Sequence, residues 1–202
     1  MLQTQTVVPD LLELLKKLMN EKLFSEFNLV GGTSLALQLG HRNSIDIDLF
    51  GNQDINHVLF EEKIREFGDV EISQTSKNVL ITKINHIKVD FVSYKYPLLK
   101  DFLVIDNIRM LSTMDIAAMK LNAIMGRGSR KDFIDLFFLL NEFSMKEILN
   151  FYKKKFSDGS EFLVIKSLTY FEDADFQPQP QMFKDFDWEI CKQKILEEVS
   201  RL

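Results

Sequence analysis

LVGGTSLALQLGHRNSIDIDLF, residues 29–50, begins with a pair of glycines and ends with two aspartates at alternate positions. The apolar run before Gly31 and Gly32 reads as a short strand entering a turn, and TSLALQLG reads as a helix closed by Gly40. IDIDLF then alternates strictly, the signature of a strand. Side chains on a strand alternate between faces, so Asp46 and Asp48 project to one side while Ile45, Ile47 and Leu49 pack on the other. Their Cα atoms lie about 6–7 Å apart. Two carboxylates that converge to about 5 Å repel by roughly 3 kcal/mol at an effective dielectric near 20, so a cation, a proton or solvent must offset them.

A third acid interrupts a strand in the same way. In HIKVDFVSY, residues 86–94, Ile87, Val89 and Phe91 alternate with Lys88, Asp90 and Val92. If this strand lies beside IDIDLF, Asp90 joins Asp46 and Asp48. Oxygen donors without nearby His or Cys favour Mg²⁺ or Mn²⁺ over Zn²⁺. Three such carboxylates suit two-metal phosphoryl transfer, in which Asp90 is also the candidate to take the proton from an attacking hydroxyl. Two plainer readings stand beside this one: a solvated pair on an exposed strand, and an Asp90 paired with Lys88 or a base of the neighbouring strand.

The glycines extend the argument. Gly31 and Gly32 permit a tight turn and close backbone approach, and Thr33 and Ser34 can offer N–H and hydroxyl donors at a helix N-terminus, where a nucleotide phosphate is favoured. The motif is not a P-loop, since no Lys-Ser or Lys-Thr follows at the required spacing, and it lacks the GxGxxG of a dinucleotide site. DxD phosphatases and DxD glycosyltransferases fit poorly. Asn43 and Ser44 stand where the former need an apolar strand, and 202 residues are short for the latter.

The rest of the chain sets the frame. Hydrophobic residues make up 46% of it, with 18 Phe, enough to fill a sizeable core. The formal net charge of -5 argues against sequence-independent duplex binding, although Arg127, Arg130 and Lys131 in GRGSRKD form a local basic cluster. FYKKKF, residues 151–156, is a second basic cluster, read as a solvated helix face rather than a nucleic-acid contact. The single cysteine, Cys191, reads as a packing residue. With no signal peptide or membrane span in view, the expected location is the cytoplasm.

Periodicity predicts a helix over residues 9–24, another over 54–67, and two or three strands between 69 and 94. After Pro97 the pattern is helical: two helices around the GRGSR turn, one over 144–155, one within 159–171 and one from about 188. FEDADFQPQPQMF, residues 171–183, reads as an irregular crossing. The fold class is α/β (α+β), a small mixed sheet with flanking helices. Residues 1–100 form the core bearing the acids, and residues 101–202 form a helical region completing the cleft.

GGTSLALQLGHRNSIDIDLF resembles the first motif of the DNA polymerase β-like nucleotidyltransferases. More closely, it is similar to the AbiEii/AbiGii toxin-type nucleotidyltransferases, as are VDFVSY, MDIAAMKLNAIMGRGSRKDFIDLFFLL (residues 114–140) and YFEDADFQPQPQMF (residues 170–183). The resemblance implies transfer of a nucleoside monophosphate from an NTP to an acceptor hydroxyl on a tRNA, a protein or a small molecule. It also implies a bacterial toxin with a possible cognate antitoxin. The alternative is an inactive nucleotide-binding module on the same fold.

Carried over residue by residue, the resemblance gives Gly32, Thr33 and Ser34 to the triphosphate and Asp46 and Asp48 to Mg²⁺ or Mn²⁺; the turn adds Gly31 to the first set and the strand pattern adds Asp90 to the second. Lys120 becomes a catalytic and nucleotide-contacting lysine, Asp132 a catalytic acid, and Asp135 a nucleotide-binding one. Local spacing also fits plainer roles. Lys131, Asp132 and Asp135 fit a surface ion-pair ladder, and Lys120 fits a solvated lysine on a helix whose core side is Ile116, Met119 and Ala123. His41 and Arg42 can orient the turn or counter the acids' charge. His57 and His86 read as structural.

Overall fold

Residues 1–202 are described by a computed structural model. Pro9 at the first helical position starts helix α1, Pro9–Asn20. Its leucine stripe, Leu11, Leu14, Leu15 and Leu18, is buried. Strand β1, Phe27–Leu29, then runs into α2, Gly31–Leu39, which ends on Gly40 in the left-handed conformation with φ 69°. Strand β2 covers Asp46–Gly51, and α3, His57–Arg65, is capped by the Asn56 side chain. Three strands follow: β3, Val70–Ser76; β4, Val79–Ile84; and β5, Ile87–Ser93.

The helical reading after Pro97 needs one correction. Residues Leu103–Ile105 and Ile108–Met110 form strands β6 and β7, a hairpin turned by Asp106 and Asn107, both with positive φ. Such a two-residue turn needs positive φ at both central positions, which Asp and Asn tolerate. The sheet therefore has seven strands in the order β3-β4-β5-β2-β1-β7-β6 and is larger than expected. β2 lies parallel to β5 and antiparallel to β1, and β7 lies parallel to β1.

Two apolar clusters explain the architecture. Ile47, Leu49, Val89 and Phe91 point from β2 and β5 into the first, where they meet α1, α3 and the rings of Phe24, Phe27 and Phe60. The second cluster belongs to the helices α4, Thr113–Gly126; α5, Arg130–Leu139; α6, Met145–Lys155; α7, Glu161–Leu168; α8, Glu172–Asp175; and α9, Trp188–Ser200. Met110 belongs to the first cluster and Leu111 to the second, so the change of core falls ten residues beyond the expected boundary at 100. Val30 and Leu35, from the strand-rich half, also belong to the second cluster, which ties the halves together.

The 171–183 crossing is less free than expected. It contains α8, and Met182 forms a β-bridge to Arg42, with the amide of Asn43 donating to the Gln181 carbonyl and that of Phe183 to the His41 carbonyl. FYKKKF is not a uniformly solvated face either. Lys153 pairs with Glu161, but Lys155 is buried, its ammonium 2.8 Å from Asp115 Oδ1 and 2.9 Å from the Pro97 carbonyl. Cys191 is fully buried, and burial pushes its thiol up to about 12, consistent with an inert packing role. No helix is long and apolar enough to cross a membrane.

Candidate active site

The parallel pairing of β2 with β5 aligns Asp46 with Lys88 and Asp48 with Asp90. Because Ile47, Leu49, Val89 and Phe91 take the core face, all four polar side chains project from the opposite face into a cleft roofed by α4 and α5. One part of this cleft, about 390 Å³, is lined only by non-hydrophobic residues, among them Gly32, Ser44, the three acids, Lys120 and Arg127. An adjoining part of about 330 Å³ is lined by Phe50, Tyr94, Ile116 and Met119. Gly32, Asp48, Lys120 and Arg127 border both.

Helix α2 delivers the glycines to the junction. The Val30 amide donates to the Asp48 carbonyl over 2.9 Å, which locks the start of α2 to β2. Gly31 has φ +68°, and a Cβ there would collide with the Asp48 carboxylate; one on Gly32 would collide with the Arg42 guanidinium. The first-turn amides of α2 have no intrahelical acceptors and sit at the positive end of the helix dipole beside the acids. Thr33 and Ser34 do not point hydroxyls into the cleft. The Thr33 hydroxyl bonds the Asp46 carbonyl and lies 2.8 Å from Ser44 Oγ, and the Ser34 hydroxyl accepts from Gln38. Both side chains are buried, so Thr33 anchors the start of β2 and Ser44 takes the place at the cleft wall.

Behind the polar wall lies a buried ionic network, not a surface ladder. Asp135 receives Arg42 through Nε at 2.7 Å and Nη2 at 2.8 Å, His41 Nε2 at 2.8 Å and Lys120 at 2.6 Å. Asp132 receives Lys120 at 2.9 Å, Arg127 Nε at 2.8 Å and the Ser129 hydroxyl at 2.7 Å. Both aspartates and Lys120 are buried, whereas Lys131 stays exposed on the rim. The ladder fails because α5 turns this face inward, against α4 and the 41–42 loop.

Charge states follow from the pairing. Burial alone would raise Asp132 and Asp135, but Lys120 and Arg127 hold the first, and Arg42, Lys120 and His41 the second, below the ordinary carboxylate range. Burial would lower Lys120, but the two aspartates keep it above its usual value. Burial lowers His41 despite Asp135. Asp48 behaves in the opposite way: burial, reinforced by the charge of Asp90, raises it to about 6.

The family model described as "Nucleotidyl transferase AbiEii toxin, Type IV TA system" matches residues 13–201. An uncharacterised protein of Aquifex aeolicus (strain VF5) is 34% identical over 197 residues, covering 92% of this chain and 94% of its own. The chain belongs to the AbiEii nucleotidyltransferase toxin family. The fold agrees with that of solved structures at lower identity. MenT4, the nucleotidyltransferase toxin Rv2826c of Mycobacterium tuberculosis H37Rv, superposes with a TM-score of 0.61 at 15% identity, over 96% of this chain and 83% of its own. JHP933 of Helicobacter pylori superposes with a TM-score of 0.59 at 18% identity, over 95% and 88%.

On this AbiEii-family fold, Gly31, Gly32, Asp46, Asp48, Asp90, Lys120 and Asp132 all border the cleft. Asp135 does not: its side chain has no exposure and is paired with Arg42 and Lys120. Met119 and Ala123, expected on the core side of α4, instead line the apolar part of the cleft. Sequence reasoning missed Ser44, Arg127, Phe50 and Tyr94 as wall residues. Phe50 and Tyr94 had a readable signal, since Phe50 shares the alternation of Asp46 and Asp48 and Tyr94, next after β5, that of Asp90; Ser44 enters from a loop and Arg127 from a helix end. His57 Nε2 lies 2.8 Å from the Ser76 carbonyl, and His86 sits in the β4–β5 turn with φ 70°, both outside the cleft.

The acids fit a divalent cation in chemistry, although they do not converge on one point. Asp90 Oδ1 is buried with no hydrogen-bond partner, and Asp48 is held toward its protonated form by burial and its neighbour. A cation relieves both. In the arrangement described, the other oxygen of Asp90 is taken by Lys88, and no three acidic, His or Cys side chains form a ready ligand set.

Proposed function

We propose that this toxin-family nucleotidyltransferase moves a nucleoside monophosphate from an NTP to an acceptor hydroxyl, using Mg²⁺ or Mn²⁺ held by Asp46, Asp48 and Asp90. The observation that carries the reading is the alignment of Asp48 with Asp90 across β2 and β5, beside the free first-turn amides of α2. When bound, the divalent ion supplies charge neutralisation at the transferring phosphoryl group.

The chain's own residues account for the rest. The α2 amides at Gly31 and Gly32 bind phosphate oxygens, with Arg127 and the Lys120 edge of the ionic network as the cationic wall. The apolar part of the cleft receives the nucleoside against Phe50, Tyr94, Ile116 and Met119. The acceptor oxygen attacks the α-phosphorus, the bond from that phosphorus to the bridging oxygen breaks, and pyrophosphate leaves. Asp90 accepts the hydroxyl proton. Asp132 and Asp135 act by fixing Lys120, Arg127 and Arg42. In the biological setting, a cognate antitoxin neutralises the activity in the bacterial cytoplasm, and the acceptor is a tRNA, a protein or a small molecule.

The test incubates the protein with each labelled NTP, Mg²⁺ or Mn²⁺ and a cell extract, then identifies the labelled product. Transfer that disappears on chelation and in an Asp46→Ala, Asp48→Ala variant folded by circular dichroism supports the reading. NTP binding without any transfer would return the protein to the binding-module alternative.

A further inference from the structure

The acid face contains a basic side chain that the proposed reaction does not use. Lys88 stands two residues before Asp90 on β5 and is aligned with Asp46 on β2, so Lys88, Asp90, Asp46 and Asp48 form a two-by-two patch. Its ammonium bonds Asp90 Oδ2, while Asp90 Oδ1 is buried and unpartnered. The other cations near the acids are committed elsewhere. Lys120 is bound to Asp132 and Asp135, Arg42 to Asp135 and Arg127 to Asp132.

We infer that Lys88 is a built-in competitor for the metal: its ammonium holds Asp90 in the metal-free protein and must be displaced before Asp90 can join Asp46 and Asp48 around a divalent ion. The inference rests on the metal-dependent reading above. Two features make the exchange feasible. The Lys88 side chain is 42% exposed against 14% for Asp90, so the ammonium can leave for solvent while the carboxylate stays in place. Lysine is also a point charge on a flexible four-carbon stem, which releases one partner without disturbing the strand. The pairing accounts for three acids on one strand face that nonetheless present no ready ligand set: one oxygen of Asp90 is engaged by Lys88. A divalent ion, with twice the charge of an ammonium, can win Asp90 from Lys88; a monovalent ion has no such advantage.

The test is Mn²⁺ titration of the full chain without nucleotide, reading free Mn²⁺ by electron paramagnetic resonance. Lys88→Met and Lys88→Gln are each expected to bind Mn²⁺ roughly three- to fivefold more tightly than the wild type, the scale of a half-exposed ion pair. Lys88→Arg is expected to stay close to the wild type. In an Asp90→Asn background the gain should vanish, because the contested carboxylate is gone. Equal or weaker Mn²⁺ binding by both neutral variants, with wild-type circular dichroism, overturns the inference and leaves the proposed function standing. A gain that survives Asp90→Asn also overturns it, since the effect would then be general repulsion. If the wild type and every variant bind no Mn²⁺ at all, the metal-dependent reading falls and takes this inference with it.

Discussion

Asp48 lies beside Asp90 on the adjacent strand, residue for residue in the parallel β2–β5 pair, and burial with that neighbour's charge raises its carboxyl to about 6. In the unfolded chain the same group titrates near its ordinary value of 3.8. Between about pH 4 and 6 the unfolded state therefore gives up its proton first, so this group's contribution to stability is present below about pH 4 and lost as pH rises through about 6. Asp48→Asn should leave metal-free stability unchanged near pH 4 and raise it at pH 7.5 by up to about 3 kcal/mol. Urea denaturation in chelator at both pH values checks this. An identical difference at the two values would show that Asp48 is not strained in the folded state.

Asp135 is the hub of the buried network, and its removal strands Arg42 and His41 in a buried space and leaves Lys120 with Asp132 alone. Breaking a buried pair from one side costs about 3–5 kcal/mol. Asp135→Ala should lose stability on that scale. Asp132→Ala should lose less, because Arg127 is 68% exposed and returns to water, while Lys120 keeps Asp135. Urea midpoints for the two variants decide the order, and equal losses would show that the network is not centred on Asp135.

The parts of this site that could be read in the sequence are those written as local periodicity. Asp46, Asp48 and Asp90 are found because acids interrupt otherwise apolar strands, and the start of α2 because glycines stand between a strand and a helical pattern. The partners of Asp135 come from Lys120 on α4 and from a loop more than ninety residues away in sequence, so no spacing rule reveals them. Lys155 misleads for the same reason: within FYKKKF it resembles its neighbours, and only the distant Asp115 makes it a buried residue. The β6–β7 hairpin escapes notice because its strands have three residues each and its Asp-Asn turn also resembles a helix start. Asp135, expected at the nucleotide, lies outside the cleft for a related reason: a motif fixes its identity but not which way its helix face turns.

Two of the three glycines that border the apolar part of the cleft, Gly31 and Gly126, should respond oppositely to alanine. Gly31 combines φ +68° with a Cβ collision against Asp48, so Gly31→Ala should cost about 1–2 kcal/mol in backbone strain alone and displace the Asp48 carboxylate. Transfer activity should fall at least about tenfold, which 1.4 kcal/mol at the transition state would produce. Gly126, at the end of α4, meets nothing within 4 Å. Gly126→Ala should instead stabilise the protein by about 0.5–1 kcal/mol. Thermal melts of both variants separate the cases, and a stabilised Gly31→Ala would contradict the close packing of α2 on β2.

Phe50 and Tyr94 stand 5.1 Å apart between ring centroids and line the apolar part of the cleft, while Asp90 lies in the polar part. This division predicts that binding and chemistry can be damaged separately. Phe50→Ala and Tyr94→Ala remove flat surface on which a base can stack, a contribution of about 1–3 kcal/mol per base. Each should weaken NTP binding by roughly five- to a hundredfold. Tyr94→Phe keeps the ring and should bind like the wild type. Asp90→Asn leaves the aromatic wall intact but removes the proton acceptor and one metal ligand, so it should lose far more transfer than NTP binding. Equilibrium binding of a fluorescent NTP, set beside single-turnover transfer, measures both properties on the same variants. If Tyr94→Ala and Asp90→Asn shift binding and turnover in the same proportion, the nucleoside does not sit against Tyr94.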